Sequence, residues 1–205
     1  MGAGPSAVAQ ARRRTHVLSL LITAAVTACQ PTPKPKPHEA HAPEDASPPK
    51  NAPRSPHDLA GRPAPPFTVE AADREGTIVV PTSKVTLVMF FGGWSQGSSQ
   101  CLTAVESLYE RLGPKGLDVV AVGMDEEKAH AAEFARGRRA KYPIGWDPWG
   151  QRVAVQWAQN PYYPNTVFLL DRKGVVRFLH LGGKDGCQAG EPGVVDELEH
   201  LLGER

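Results

Sequence analysis

Hydrophobic and polar positions divide this chain into three stretches. An apolar run from Val17 to Val26 follows Arg12, Arg13 and Arg14. The run is too short to cross a bilayer and fits the core of a secretory signal. From Gln30 to about Ala60 the chain turns polar and rich in proline, as in PTPKPKPHEAHAPEDASPPKNAPRSPHD. Such a segment buries too little apolar surface to offset its ordering entropy, and its prolines favour an extended, solvated chain. From Gly61 onward the pattern is that of a folded domain. KVTLVMFF is a continuous apolar, β-branched and aromatic run, which predicts a strand buried on both faces. Between Ser98 and Leu112, Cys101, Val105, Leu108 and Leu112 recur at spacings of four, three and four, the stripe of an amphipathic helix. LDVVAVGM predicts a second buried strand. Asp125 stands where it can cap a helix over EEKAHAAEFARG that ends near Gly137. KYPIGWDPWG reads as a short extended piece with turns, and QRVAVQWAQ as a short helix. The strand TVFLL, the turn DRKG, the strand VVRFLHL and the helix VVDELEHLL complete the order. This alternation predicts an α/β fold with a central mixed sheet flanked by helices.

At 205 residues the chain suffices for one domain once its N-terminus is set aside. The expected division is a signal over 1–28, a tether over 29–60 and a folded domain over 61–205. Lys and Arg number 23 against 22 Asp and Glu, a balance that gives no reason to expect nucleic-acid binding. The signal ends in Val26-Thr27-Ala28-Cys29, which resembles the bacterial lipobox with Val in place of the usual Leu. On that reading Cys29 is lipidated and anchors the chain to a membrane, several acyl chains being needed for stable attachment. The alternative is an ordinary signal peptide with an incidental cysteine. Gln30, which is not Asp, favours the outer membrane over the inner, so the expected location is the bacterial envelope, facing the periplasm. The tether would reach about 90 Å if fully extended. Its His38, His41 and His57 read as spacer residues, and His130, His180 and His200 lack ligand spacing, so neither a metal nor a cofactor is expected. Beyond Cys29 only Cys101 and Cys187 remain, in a compartment that permits disulfides.

Three segments carry a family resemblance. GRPAPPF has Ala64, Pro65 and Phe67 as an entry motif; VMFFGGWSQGS sets Trp94 after a strand; YPNTVFLLDRKG offers Pro164 as a candidate cis-proline before a strand and turn, with Gly182-Gly183 after the last strand. Together they span about residues 61 to 202 and resemble the thioredoxin-like redoxins, in particular membrane-anchored thiol-disulfide reductases. The resemblance aligns Ser95 and Ser98 with the two cysteines of Cys-x-x-Cys. In the family the first cysteine is a thiolate stabilised at a helix N-terminus. A serine hydroxyl has no such acidity, and no adjacent base is visible to activate it. Helix capping is the expected role of both serines. By the same resemblance the surface of Trp94, Ser95 and Pro164 would grip extended polypeptide, and the leading expectation is a protein-binding module without dithiol exchange. Cys101 lies about two turns into the helix, where the dipole has faded. It can be a quiet core thiol, a lone catalytic thiol, or the partner of Cys187, because the family's last strand returns its following loop toward the first helix. A bridge would add roughly 4 kcal/mol by loop entropy. The alternative function is a thiol-disulfide oxidoreductase or thiol peroxidase using Cys101 with or without Cys187. Trp146, Trp149, Trp157, Tyr162 and Tyr163 could rim a groove beside Pro164 or pack under surface loops.

Overall fold

The run Val85–Phe91 forms the strand through which both faces of the domain are packed. In the computed structural model, which describes residues 55–157, 164–180, 187 and 189–204, every residue of this strand is buried. The leader, Cys29, His38, His41, the tether up to residue 54, Tyr162, Tyr163, Gly182 and Gly183 lie outside the described residues. In chain order the strands are β1 (Phe67–Ala71), β2 (Thr77–Val80), β3 (Val85–Phe91), β4 (Leu117–Gly123), β5 (Ile144–Trp146), β6 (Thr166–Leu170) and β7 (Val176–His180). The helices are α1 (Gln96–Leu112), α2 (Lys128–Arg136) and α3 (Pro192–Gly203). The sheet runs β2-β1-β5-β4-β3-β6-β7 and is mixed: β3 pairs with β4 and β4 with β5 in parallel, while the outer pairs are antiparallel.

Alternation along β3 sorts the core into two layers, since successive side chains point to opposite faces. Leu87, Met89 and Phe91 join the cluster to which all three helices contribute, including the predicted stripe Cys101, Val105, Leu108 and Leu112. Val88 and Phe90 face the other way and meet Trp157, Phe168, Val153, Leu59 and Val176. Trp157 is the hub of that layer, edge-on to Phe67, Phe90 and Phe168, with its indole N–H donated to the Pro65 carbonyl at 3.0 Å. Removing a buried side chain of this size costs about 3–5 kcal/mol.

Three local expectations are corrected. The β1–β2 hairpin is absent from the predicted elements, although Phe67, Val69 and Ala71 are buried alternately with exposed neighbours. Asp125 does not cap α2, whose N-cap is Glu127; the Asp125 carboxylate instead accepts the Gly93 N–H. Among the described residues of QRVAVQWAQ, 151–157, the helix is a 3₁₀ turn, Ala154–Trp157, because the buried Asp147 carboxylate takes the N–H groups of Arg152, Val153 and Ala154 at 2.8–2.9 Å.

Candidate functional site

At the C-terminal end of β3 the chain leaves the sheet through Gly92 and Gly93 and enters α1 at Ser95. Two features fix this loop. The Gly93 N–H donates to both oxygens of Asp125, at 3.0 and 3.2 Å. The Trp94 indole lies over Gly92 so closely that a Cβ there would meet its ring at 2.6 Å, which only glycine avoids. Trp94 is 51% exposed, and its ring tilts against that of Trp149, with centroids 6.2 Å apart.

Ser95 has the extended backbone of an N-cap, but its side chain makes no capping bond, contrary to expectation. Its Oγ accepts the Asn165 Nδ2–H at 3.2 Å. Ser98, inside the first turn and 0% exposed, donates its hydroxyl to Asn165 Oδ1 at 2.6 Å and accepts the Gly92 N–H at 3.1 Å. It too does not cap the helix. One buried carboxamide thus holds both hydroxyls and ties β3, α1 and β6 together. Asn165 also donates its backbone N–H to the Phe90 carbonyl at 2.7 Å. An amide N–H on Ser95 Oγ is a donor and cannot take the hydroxyl proton, so the arrangement lacks the base that a serine nucleophile needs.

Asn165 is the functional-site residue that sequence reasoning misses. Pro164 is buried immediately before it, and the bond joining Pro164 to Tyr163 lies outside the described residues. Pro164 also stands one residue further from Asp171 than the family pattern expects. That extra residue is the available signal.

The sulfurs lie behind this network. Cys101 and Cys187 are joined in a disulfide with Cα atoms 4.6 Å apart. Cys101 is 0% exposed in the helical core, whereas Cys187 is half-buried and its Sγ accepts the Ala189 N–H at 3.4 Å. The carboxylates flanking the site both titrate above their ordinary range. For Asp125 the cause is burial, opposed by the Gly93 N–H and the nearby His130. For Asp147 burial again leads, opposed by the three N–H bonds and the charge of Arg152. Among the tryptophans weighed as a groove rim, Trp157 is core and Trp146 donates its indole N–H to the Asp125 carbonyl at 2.9 Å, leaving Trp149 beside Trp94. His130 and His200 are exposed and lie near Glu127 and Glu204 on their own helices; His180 is in β7 and His57 in the N-terminal 3₁₀ turn.

The AhpC/TSA family model matches residues 60–179. Thiol-disulfide oxidoreductase ResA of Bacillus thuringiensis (strain Al Hakam) is 27% identical over 119 residues, covering 57% of this chain and 66% of that protein. ResA of Bacillus anthracis is likewise 27% identical, over the same shares of both chains. The chain therefore spans just under two thirds of these relatives' own length. Among solved structures, a Chlorobium tepidum protein carrying the name thiol:disulfide interchange protein DsbE superposes with a TM-score of 0.62 at 24% identity, over 70% of this chain and 98% of that one. Peroxidoxin BcpB of Mycobacterium tuberculosis superposes with a TM-score of 0.56 at 17% identity, over 70% and 96% respectively. The fold is thioredoxin-like.

Proposed function

The chain belongs to the AhpC/TSA family of thioredoxin-like proteins, and from that premise we propose that it is an envelope lipoprotein whose domain binds extended polypeptide without exchanging disulfides. The observation that carries this reading is the Ser95–Asn165–Ser98 network beside the exposed Trp94. Where relatives named as oxidoreductases offer sulfur to a disulfide, these hydroxyls are engaged by a neutral amide and have no base. What remains at the surface is an aromatic contact with polar groups around it, suited to capture and release. In this reading Cys29 carries the lipid anchor, the domain faces the periplasm on its proline-rich tether, and the outer membrane is preferred because Gln30 follows the anchor.

The test is capture of a reduced and fully alkylated unfolded polypeptide by the full chain in detergent, since alkylation removes every thiol from the ligand. Wild type should bind it, and Trp94→Ala should weaken binding by at least ~10-fold, as truncation of an aromatic anchor does. Binding that ignores Trp94 would overturn the reading.

A second reading is favoured by one feature, the partial exposure of Cys187 and the N–H on its sulfur. An external thiolate could attack Cys187 Sγ and displace Cys101, whose electron pair would then need a proton inside an apolar core. Burial raises a thiol's pKa and makes Cys101 a poor leaving group, which argues against turnover through this bridge.

A further inference from the structure

The Asp147 turn presents Trp149 in a way that core packing does not require. Residues Trp149 and Gly150 both have positive φ, 56° and 66°, and Gln151 N–H closes the turn on the Pro148 carbonyl at 3.2 Å. Two consecutive positive-φ residues are the signature of a type I′ turn, whose first central position favours Asn, Asp or Gly. A tryptophan there is a backbone outlier. Its environment holds it: the buried Asp147 carboxylate collects three N–H groups of the following segment, and the Asp147 N–H donates to the Gly123 carbonyl at 2.9 Å. Trp149 remains only partly buried, and its described ring partner is Trp94.

Hydrogen bonding separates the four tryptophans into two kinds. Trp146 and Trp157 give their indole N–H groups to backbone carbonyls. Among the described residues, Trp94 and Trp149 donate theirs to no protein acceptor. Exposed indole N–H groups beside an aromatic plate are suited to a ligand that brings carbonyl oxygens with an apolar ring or chain, and a polyproline-type segment does so because its carbonyls make no internal hydrogen bonds. The segment that grips the Trp94 loop carries two exposed carboxylates, and its Lys128 is paired with Glu70. Glu126 and Glu127 are exposed directly after Asp125, which grips Gly93, and they complement lysines placed between prolines.

Resting on the polypeptide-binding reading above, we propose that Trp149 is a specificity-determining residue, forming with Trp94 the plate that receives a basic, proline-rich extended segment, and that the Asp147 turn is built to hold it there. The strain makes the test discriminating. Trp149→Gly removes the plate but suits the positive φ, and Trp149→Asn does the same with another residue that tolerates this conformation.

The full chain is titrated with a fluorescent Pro-Lys-Pro-Lys-Pro-Pro peptide, and with a Gly-Lys peptide of equal charge as control. Wild type should prefer the proline peptide, and both Trp149 variants should weaken it by at least ~10-fold with no fall in thermal midpoint. If Trp94→Ala weakens peptide binding and the Trp149 variants do not, this inference fails while the binding function stands. If the proline peptide binds no better than the control, the assigned ligand class fails, and capture of alkylated polypeptide decides the broader reading separately. Should one Trp149 variant unfold, the other gives the answer, and unchanged affinity in it overturns the proposal.

Discussion

Asn165 combines three properties that few other residues offer together. Its φ of 81° suits Asn better than most side chains, its carboxamide both donates and accepts, and it is 1% exposed, so each unmet bond is a buried cost. Asn165→Gly keeps the backbone relaxed and deletes the carboxamide. It should lose about 1–3 kcal/mol, the cost of leaving the buried Ser98 hydroxyl without its acceptor. Chemical denaturation checks this: the midpoint should fall with the slope unchanged, and an unchanged midpoint would mean that solvent replaces the amide. Much of this site is hidden in the sequence because the partners are distant along the chain. Ser98 can be placed on a helix by pattern alone, but nothing local says that its hydroxyl turns inward to a residue 67 positions away. Asp125 reads as a cap for the same reason, since a cap needs only local sequence whereas the Gly93 bond needs the fold.

The central strands and the α1 stripe are legible at the scale of elements because burial imposes their periodicity. β3 and β4 lie inside the sheet, and the stripe Cys101, Val105, Leu108 and Leu112 faces it. The β1–β2 hairpin is harder to read. β2 is an edge strand with Val79 59% exposed, so its pattern lacks a clean buried face. The disulfide links α1 to the segment entering α3 across 86 residues of sequence. Constraining so long a loop stabilises a domain by about 4 kcal/mol in the chain-entropy model. Reduction, or a Cys187→Ala substitution, should therefore lower the denaturation midpoint substantially while leaving capture of alkylated polypeptide at its wild-type affinity under folding conditions. Loss of capture with the fold intact would instead place the bridge in the functional surface.

For the molecule as a whole, fold and chemistry separate on the proposed reading. The sheet, the helix leaving β3 and the Asp171–Gly174 turn belong to a thioredoxin-like domain, whereas the start of α1 carries Ser95 and Ser98 and the sulfur pair lies deeper along that helix. A fold of this kind can host binding as readily as exchange, because function resides in the site grafted onto it. The fold is readable because many weak signposts have to agree. The site is less readable because it depends on one carboxamide that meets Ser98 from 67 positions away and on one turn. The most direct measurement is the rate at which the full chain accelerates reduction of a polypeptide disulfide by a small dithiol. The account predicts a rate equal to that of the dithiol alone. A rate above that background which disappears in Cys187→Ala would contradict it and make the displaced cysteines an active redox pair.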